Sequence, residues 1–298
     1  MIEFLNRLPE DALVPQYFYD VKGMWTGFRT CYSNNVNFDD ARPFTFEDFN
    51  DPAKTEYVDK AIKTLKDAYI KDYNTIKEKC TGIAEKYEYT VPVFEDAALV
   101  FDRPLKAMTD FRYTEGMNPK WYCKGFSLLH MMNACKWIAP KIKMGHESPL
   151  EHSILTFKIK GCSRSLTHQL VRHRLASYSQ ASQRYISENP DNLSFVIPAK
   201  VRENPEALAV VEGYLSGLSE CIKRLKCLGI KNEDIRCIYP NAMPTDIQVS
   251  MNFRELRHFL LLRLSKHAQD EIRLAAFEIY QHLALNMPFI WTDLEFEV

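Results

Sequence analysis

Several common chemistries are excluded by what the chain does not contain. Its eight cysteines, at 31, 80, 123, 135, 162, 221, 227 and 237, form no Cys-x-x-Cys pair. Neither a zinc ribbon nor a thioredoxin-type redox centre is therefore indicated. No Gly-x-Gly-x-x-Gly occurs anywhere, so a nucleotide cofactor is not held in a Rossmann crevice. No apolar run is long enough to span a bilayer, and the first residues lack a basic-then-apolar signal pattern. The expectation is a soluble, cytoplasmic protein in a reducing compartment, without a membrane partner. A formal net charge of -1 over 298 residues disfavours wholesale nucleic-acid binding. Repeats, heptads and low-complexity segments are missing as well, leaving an ordinary globular chain with ample core capacity.

The most informative absence is local. Between His152 and Ser187 there is no Asp or Glu, while Lys158, Lys160, Arg164, Arg172, Arg174 and Arg184 all fall inside that window. Its second half, 172–185, gathers three arginines, a histidine, three serines and two glutamines. Arginine forks beside hydroxyl and amide groups suit a phosphate held bidentately. A solvated basic helix face is the plainer alternative. Turn-forming residues between Arg174 and Ser182 argue against one continuous face.

Around this window the chain reads as alternating helices and strands. Residues 1 to about 54 are expected to be irregular. Val58, Ile62, Leu65, Tyr69, Tyr73 and Ile76 recur at helical spacing and predict an amphipathic helix. Residues 90–119 are weakly patterned, and an apolar-rich helix is expected from about Pro119 to Met144. Alternation at Leu155, Phe157 and Ile159 predicts a strand. Gly161-Cys162-Ser163 would then turn the chain into a helix from Arg164 to about Ala176, capped by Ser163. On that helix Gln169, Arg172 and His173 would share a face. A second strand is expected at Asn192–Ile197. A long helix over 205–228 would follow, opened by Pro205 and closed by Gly229, then a short helix Asn232–Ile238. A third strand is expected through Ile247, Val249 and Met251, and a last helix over 268–286. The fold class is α+β, with mixed helices around a small, mostly antiparallel sheet, in a single domain spanning 1–298.

Two further stretches carry polar groups that an apolar core would not need. Gly145-His146-Glu147-Ser148-Pro149-Leu150-Glu151-His152 holds two histidines and two glutamates. A metal-dependent hydrolase built on His146, Glu151 and His152, with His173, is one reading. Against it, the spacing is not His-Glu-x-x-His and Pro149 interrupts a continuous helix. No metal is assigned. Farther on, Arg263 sits in a strongly apolar run, where a guanidinium needs a partner or a ligand. A non-catalytic nucleotide- or RNA-binding module using the acid-free window is the other alternative.

Arg172-His173-Arg174, seven residues, then Ser182, extended by Gln183-Arg184-Tyr185, resembles the signature of the flavin-dependent thymidylate synthases. The Gly145–His152 segment resembles that family's second motif. Arg236 to Arg263, with Asn252, Arg254 and His258 between, resembles its C-terminal pattern. The resemblance covers roughly residues 145–270. It implies reductive methylation of dUMP to dTMP for de novo dTMP biosynthesis. Methylenetetrahydrofolate would be the carbon donor, and NADPH the reductant through FAD, in a homotetramer with sites between subunits. It further implies that Arg172, His173 and Arg174 bind FAD, together with His146, Ser148, Glu151, Gln180, Asn252, Arg254 and His258. Gln169, Arg172, Gln180, Ser182, Gln183, Arg184 and Arg236 would hold dUMP. Arg263 would face the uracil as the catalytic group. Some members carry Glu at the position of Gln180, so one charge is missing here. The N-terminal region departs from the family by an insertion at about 34–120. Arg29-Thr30-Cys31-Tyr32-Ser33, an Arg-x-Cys segment upstream of it, is left outside the site. No side chain is expected to attack the uracil ring covalently.

Overall fold

The structure is a computed structural model that describes residues 2–4, 21–26, 29, 37–90, 93–111, 119–186, 189–190 and 193–297. For residues 4, 46, 104, 107–111 and 119–126 it describes the backbone alone. Four strands are present among these: β1 (Ile2–Phe4), β2 (Ile154–Ser163), β3 (Ala176–Gln180) and β4 (Pro244–Asn252). The principal helices are α1 (Thr55–Lys86), α2 (Ala97–Phe111), α3 (Pro119–Lys143), α4 (Arg164–Leu170), α5 (Pro205–Cys227), α6 (Phe253–Arg263) and α7 (Asp270–Asn286). The α+β class read from sequence is what the chain adopts. Two compact units emerge, one comprising Met1–Leu5, Thr156–Ser250 and Ala268–Ala275, the other Asn6–Leu155, Met251–His267 and Ala276–Val298.

The first unit is built on a sheet of order β1-β2-β4-β3. β1 pairs antiparallel with β2, bringing Ile2 opposite Ile159 and Phe4 opposite Phe157. In β2, Phe157 and Ile159 are buried, and in β4 Ile247 and Val249 are, so each central strand buries alternate residues. Gly161 does not end β2 as expected. It adopts φ +64° inside the strand, a conformation glycine takes without a Cβ penalty, and β2 continues to Ser163. The Gly161 N–H donates to Asp246 Oδ1 (3.0 Å), and Lys158 pairs with the other oxygen (2.9 Å). These contacts hold the Asp246 carboxyl below its ordinary pKa, the Gly161 hydrogen bond contributing most.

Ser163 caps α4 as its position predicts, its Oγ accepting from Leu166 N (3.0 Å). The helix is shorter than its sequence suggests. It ends at Leu170, whose carbonyl lies 2.8 Å from the Tyr178 hydroxyl, and the chain then turns into β3. α5 begins where Pro205 indicates, with Asn204 Oδ1 accepting from Glu206 and Ala207 N–H groups, and Gly229 (φ +77°) follows its end. The strand expected over Asn192–Ile197 is not a sheet member over its described part. Residues 193–198 belong to no strand, although Val196 N donates to Ala242 O (2.8 Å), and Leu193 and Phe195 pack on a small core of Leu218, Ile222 and Ile235.

The second unit is helical. α1 presents Val58, Leu65, Tyr69, Tyr73, Ile76, Cys80 and Ile83 along one buried stripe. α3 buries Leu129, Met132, Cys135 and Ile138, and α6 buries Leu256, Phe259 and Leu260. The weakly patterned 90–119 region contains α2, which buries Phe101 and Leu105. Residues 37–54 form short helical turns rather than irregular chain. Of Arg29–Ser33 only Arg29 falls among the described residues; its guanidinium lies 5.7 Å from the Trp25 ring and 5.8 Å from that of Trp137. No described helix is long and apolar enough to cross a membrane.

Candidate active site

In the first unit the signature run is a loop, a strand and a turn. Because α4 stops at Leu170, Arg172 and His173 lie beyond it and do not share a helix face with Gln169, which corrects the expected arrangement. The Tyr178 hydroxyl sits within hydrogen-bond distance of both the Leu170 and His173 carbonyls (2.8 and 2.6 Å), bracketing the Arg172-His173 turn. His173 is buried, whereas Arg172 and Arg174 are exposed, and neither guanidinium meets a carboxylate among the described residues. Two adjacent cations left uncompensated are what an anion-binding loop requires.

Most of the other expected dUMP residues are engaged. Gln169 Nε2 donates to Gln269 Oε1 on the segment preceding α7. Gln180 Nε2 donates to the hydroxyls of Thr167 (3.1 Å) and Thr245 (3.4 Å), which fixes its amide plane. Ser182 opens a turn, its Oγ accepting from Arg184 N (3.3 Å) and its carbonyl from Tyr185 and Ile186. Gln183 Nε2 is buried with no hydrogen-bond partner among the described residues. A buried amide donor left open normally carries a penalty of about 1–3 kcal/mol, which a ligand acceptor would remove. Arg184 and Arg236 are brought together through one residue: Arg184 pairs with the Glu233 carboxylate (3.2 Å), while Arg236 Nε donates to the Glu233 carbonyl (3.2 Å). Beside them lies an open concavity of about 490 Å³ lined by Arg184, Lys226, Lys231, Asn232 and Glu233.

In the second unit the Gly145–His152 segment follows α3 directly. Gly145 takes φ +86° and its N–H closes onto Ile142 O (2.8 Å), so the glycine of this motif is the helix terminator. Ser148–His152 then forms a single 3-10 turn with Pro149 at its start. A Cβ at Gly23 would lie 3.2 Å from the His152 carbonyl, so the helix over 21–26 backs closely onto the end of this turn. Asn252 caps α6, its side chain accepting from Glu255 N (2.9 Å), and Phe253 N donates to Ser153 O (2.9 Å). The start of α6 is thereby tied to the end of the motif. Arg254 pairs with Glu151 (2.6 Å), joining two of the expected flavin residues. His146 is half-buried, and Ser148 and His258 are exposed. Arg263 is half-buried at the end of α6, and burial pulls its pKa down.

As built on His146, Glu151 and His152, the metal reading gains nothing from this geometry. Among the described residues, no group of three close potential ligands includes His146, Glu151 or His152, and Glu151 is occupied by Arg254.

One residue escaped the sequence reading. Arg257, between Arg254 and His258, is buried and holds two carboxylates: Asp293 through a bidentate contact (3.1 and 2.6 Å) and Glu147 through Nε (3.2 Å). Its charge in an otherwise apolar helix face was the available signal, the same argument that singles out Arg263.

The family model described as thymidylate synthase complementing protein matches residues 103–289. Its match begins downstream of Arg29–Ser33, and within the 34–120 stretch read as an insertion. Proteins named flavin-dependent thymidylate synthase are similar over about half of this chain. That of Thermococcus kodakarensis is 51% identical over 144 residues, covering 48% of this chain and 59% of its own. That of Thermococcus onnurineus is 42% identical over 169 residues, covering 56% and 69%. The Geobacter sulfurreducens protein is 42% identical over 152 residues, covering 51% and 66%. The chain thus spans some three fifths to seven tenths of the length of these curated relatives. Since the family model alone takes in more than half of its residues, the chain belongs to the thymidylate synthase complementing protein family.

Proposed function

We propose that this chain is a flavin-dependent thymidylate synthase, converting dUMP to dTMP with methylenetetrahydrofolate as carbon donor and NADPH as reductant, through FAD. The observation that carries the reading is the signature loop, in which, among the described residues, Arg172 and Arg174 face no carboxylate and Gln183 Nε2 is buried without a hydrogen-bond partner. Such a donor set fits a diphosphate or phosphomonoester. Once reduced by NADPH, a bound FAD would supply the hydride that completes reduction of the transferred one-carbon unit to a methyl group.

The roles of the chain's own residues follow from their chemistry. Arg172, His173 and Arg174 would hold FAD, as would His146, Ser148, Glu151, Asn252, Arg254 and His258. Gln180 would reach both ligands. Gln169, Ser182, Gln183, Arg184 and Arg236 would hold dUMP, with Arg184 and Arg236 exchanging Glu233 contacts for the phosphate. Arg263 would place a desolvated cation against the uracil, favouring its ionised form and strengthening C5 as a nucleophile. The two units would work as one functional domain, the chain as a cytoplasmic homotetramer, and the extra N-terminal helices as an addition to the family core.

Neither Cys162 nor Ser182 is suited to attack the ring. Cys162, the cysteine nearest the signature in sequence, is buried, donates to Thr245 O (3.3 Å), and has its thiol pushed up to about 12 by burial and then by Glu271. It stays protonated near neutrality, where only a thiolate would react. Ser182 Oγ is an acceptor within its own turn. The test is direct. The purified protein should be yellow, with the absorption bands of FAD, and should form dTMP from dUMP, methylenetetrahydrofolate and NADPH. Ser182→Ala should keep measurable turnover with weaker dUMP affinity. A colourless protein with no dTMP formed after FAD is added would overturn the reading.

A further inference from the structure

Arg257 is an expensive way to fill space. Its side chain is 7% exposed, and it satisfies its guanidinium with Asp293, Glu147 and the Ile290 carbonyl (2.9 Å). Apolar side chains of similar volume usually serve stability as well as a buried ion pair, or better. What a guanidinium adds is direction: a rigid plane whose donors fix two carboxylates at set angles. One of these, Glu147, stands between His146 and Ser148. The other, Asp293, belongs to a C-terminal segment that α1 clasps from outside, Lys79 Nζ donating to the carbonyls of Thr292 (2.7 Å) and Leu294 (2.8 Å) and to Glu295 (3.0 Å). Lys79, Ile290 and Asp293 all lie outside the family-matched residues 103–289.

We infer that Arg257 is a positioning residue for the flavin end of the site: oriented by Asp293 on the Lys79-clasped C-terminal segment, it holds Glu147 and so sets His146 and Ser148 against the α6 residues Arg254 and His258. This rests on the reading that the 145–152 segment and α6 contact FAD. A helical addition and a C-terminal segment beyond the family match thus complete the hold on a family motif. Removing either carboxylate should loosen the motif relative to α6 without touching FAD directly.

The experiment uses the full-length holoprotein and follows FAD release on dilution by the recovery of flavin fluorescence. Asp293→Asn and Glu147→Gln should each raise the FAD dissociation constant by about tenfold, the lower end of what loss of an outer partner does at metal sites. Excess FAD should restore kcat in both. Ile76→Val, which opens a small cavity in the buried stripe of α1, supplies the comparison, lowering Tm while leaving FAD affinity unchanged. The inference is overturned if both carboxylate variants hold FAD as tightly as the unaltered protein, or lose it no more than Ile76→Val does at an equal fall in Tm. His146→Ala, measured alongside, separates the two possible failures. If it weakens FAD while the carboxylate variants do not, the positioning role alone is wrong. If it too leaves FAD affinity unchanged, the flavin reading of the motif fails with it. Should Asp293→Asn not fold, Glu147→Gln, whose side chain is 35% exposed, decides the matter.

Discussion

The arginines of the signature loop and those of α6 are chemically identical and are treated in opposite ways. In the loop, Arg172 and Arg174 stand exposed with no carboxylate opposite them among the described residues. In α6, Arg254 and Arg257 are matched to Glu151, Glu147 and Asp293. The difference follows from composition. The 152–187 window contains no acid, so any compensation must be imported, as Arg184 imports Glu233. The 145–152 segment brings two glutamates of its own, and α6 answers both. An uncompensated pair of arginines is held ready for an anion from solution; a compensated one fixes the chain to itself.

That contrast is most exposed to test at Arg257. Arg257→Met would leave Glu147 and Asp293 facing each other's surroundings without a cation, and breaking such a buried pair costs about 3–5 kcal/mol. Thermal or urea unfolding should show that loss. Arg172→Met and Arg174→Met, on exposed guanidiniums, should stay within about 0.5 kcal/mol of the unaltered protein. Equal losses in the two regions would erase the distinction drawn between them.

Next in size is Arg174→Ala, read in binding rather than stability. Losing one charge-assisted contact should weaken FAD by about 1.5–3 kcal/mol, with a smaller effect on dUMP. Titrations of the two ligands separate these. Full flavin occupancy with dUMP affinity collapsed would reverse the assignment of the loop's two ends.

How much of this was legible in the sequence depends on the range of the interaction. Helix stripes and caps are local, and Ser163, Pro205, Gly229 and the α1 apolar series each mark what they form. The signature loop was legible as chemistry but not as shape. Nothing between Arg164 and Ala176 forbids helix, and what accompanies its end at Leu170 is the Tyr178 hydroxyl, supplied from the following strand. The 192–197 segment has strand-like residues, yet its apolar side chains pack on the α5 core, because alternation records burial and not ladder pairing. Arg257 was missed since its partners lie 110 and 36 residues away. Only the oddity of a charge on an apolar face hints at them.

The smallest expected effect tests whether pairing in α6 has one purpose or two. Arg254 and Glu151 form a close contact at 2.6 Å, shorter than that of Arg257 with Glu147, and by distance alone would rank as the stronger. Both side chains are about half exposed, however, at 49% and 47%. Water screens them, and ordering two long side chains offsets much of the attraction, so exposed pairs typically contribute about 0.2–1 kcal/mol. A double-mutant cycle of Arg254→Ala and Glu151→Ala in thermal unfolding should give a coupling in that range, shrinking further at high salt. The pair is therefore weak enough for FAD to compete with or bridge, which a 3–5 kcal/mol brace would not permit. A coupling above about 2 kcal/mol, unchanged by salt, would make Arg254 a second structural arginine like Arg257 and remove it from the flavin site. A small, salt-sensitive coupling together with weakened FAD binding in Arg254→Ala would place the division between holding and binding inside α6 itself, three residues apart.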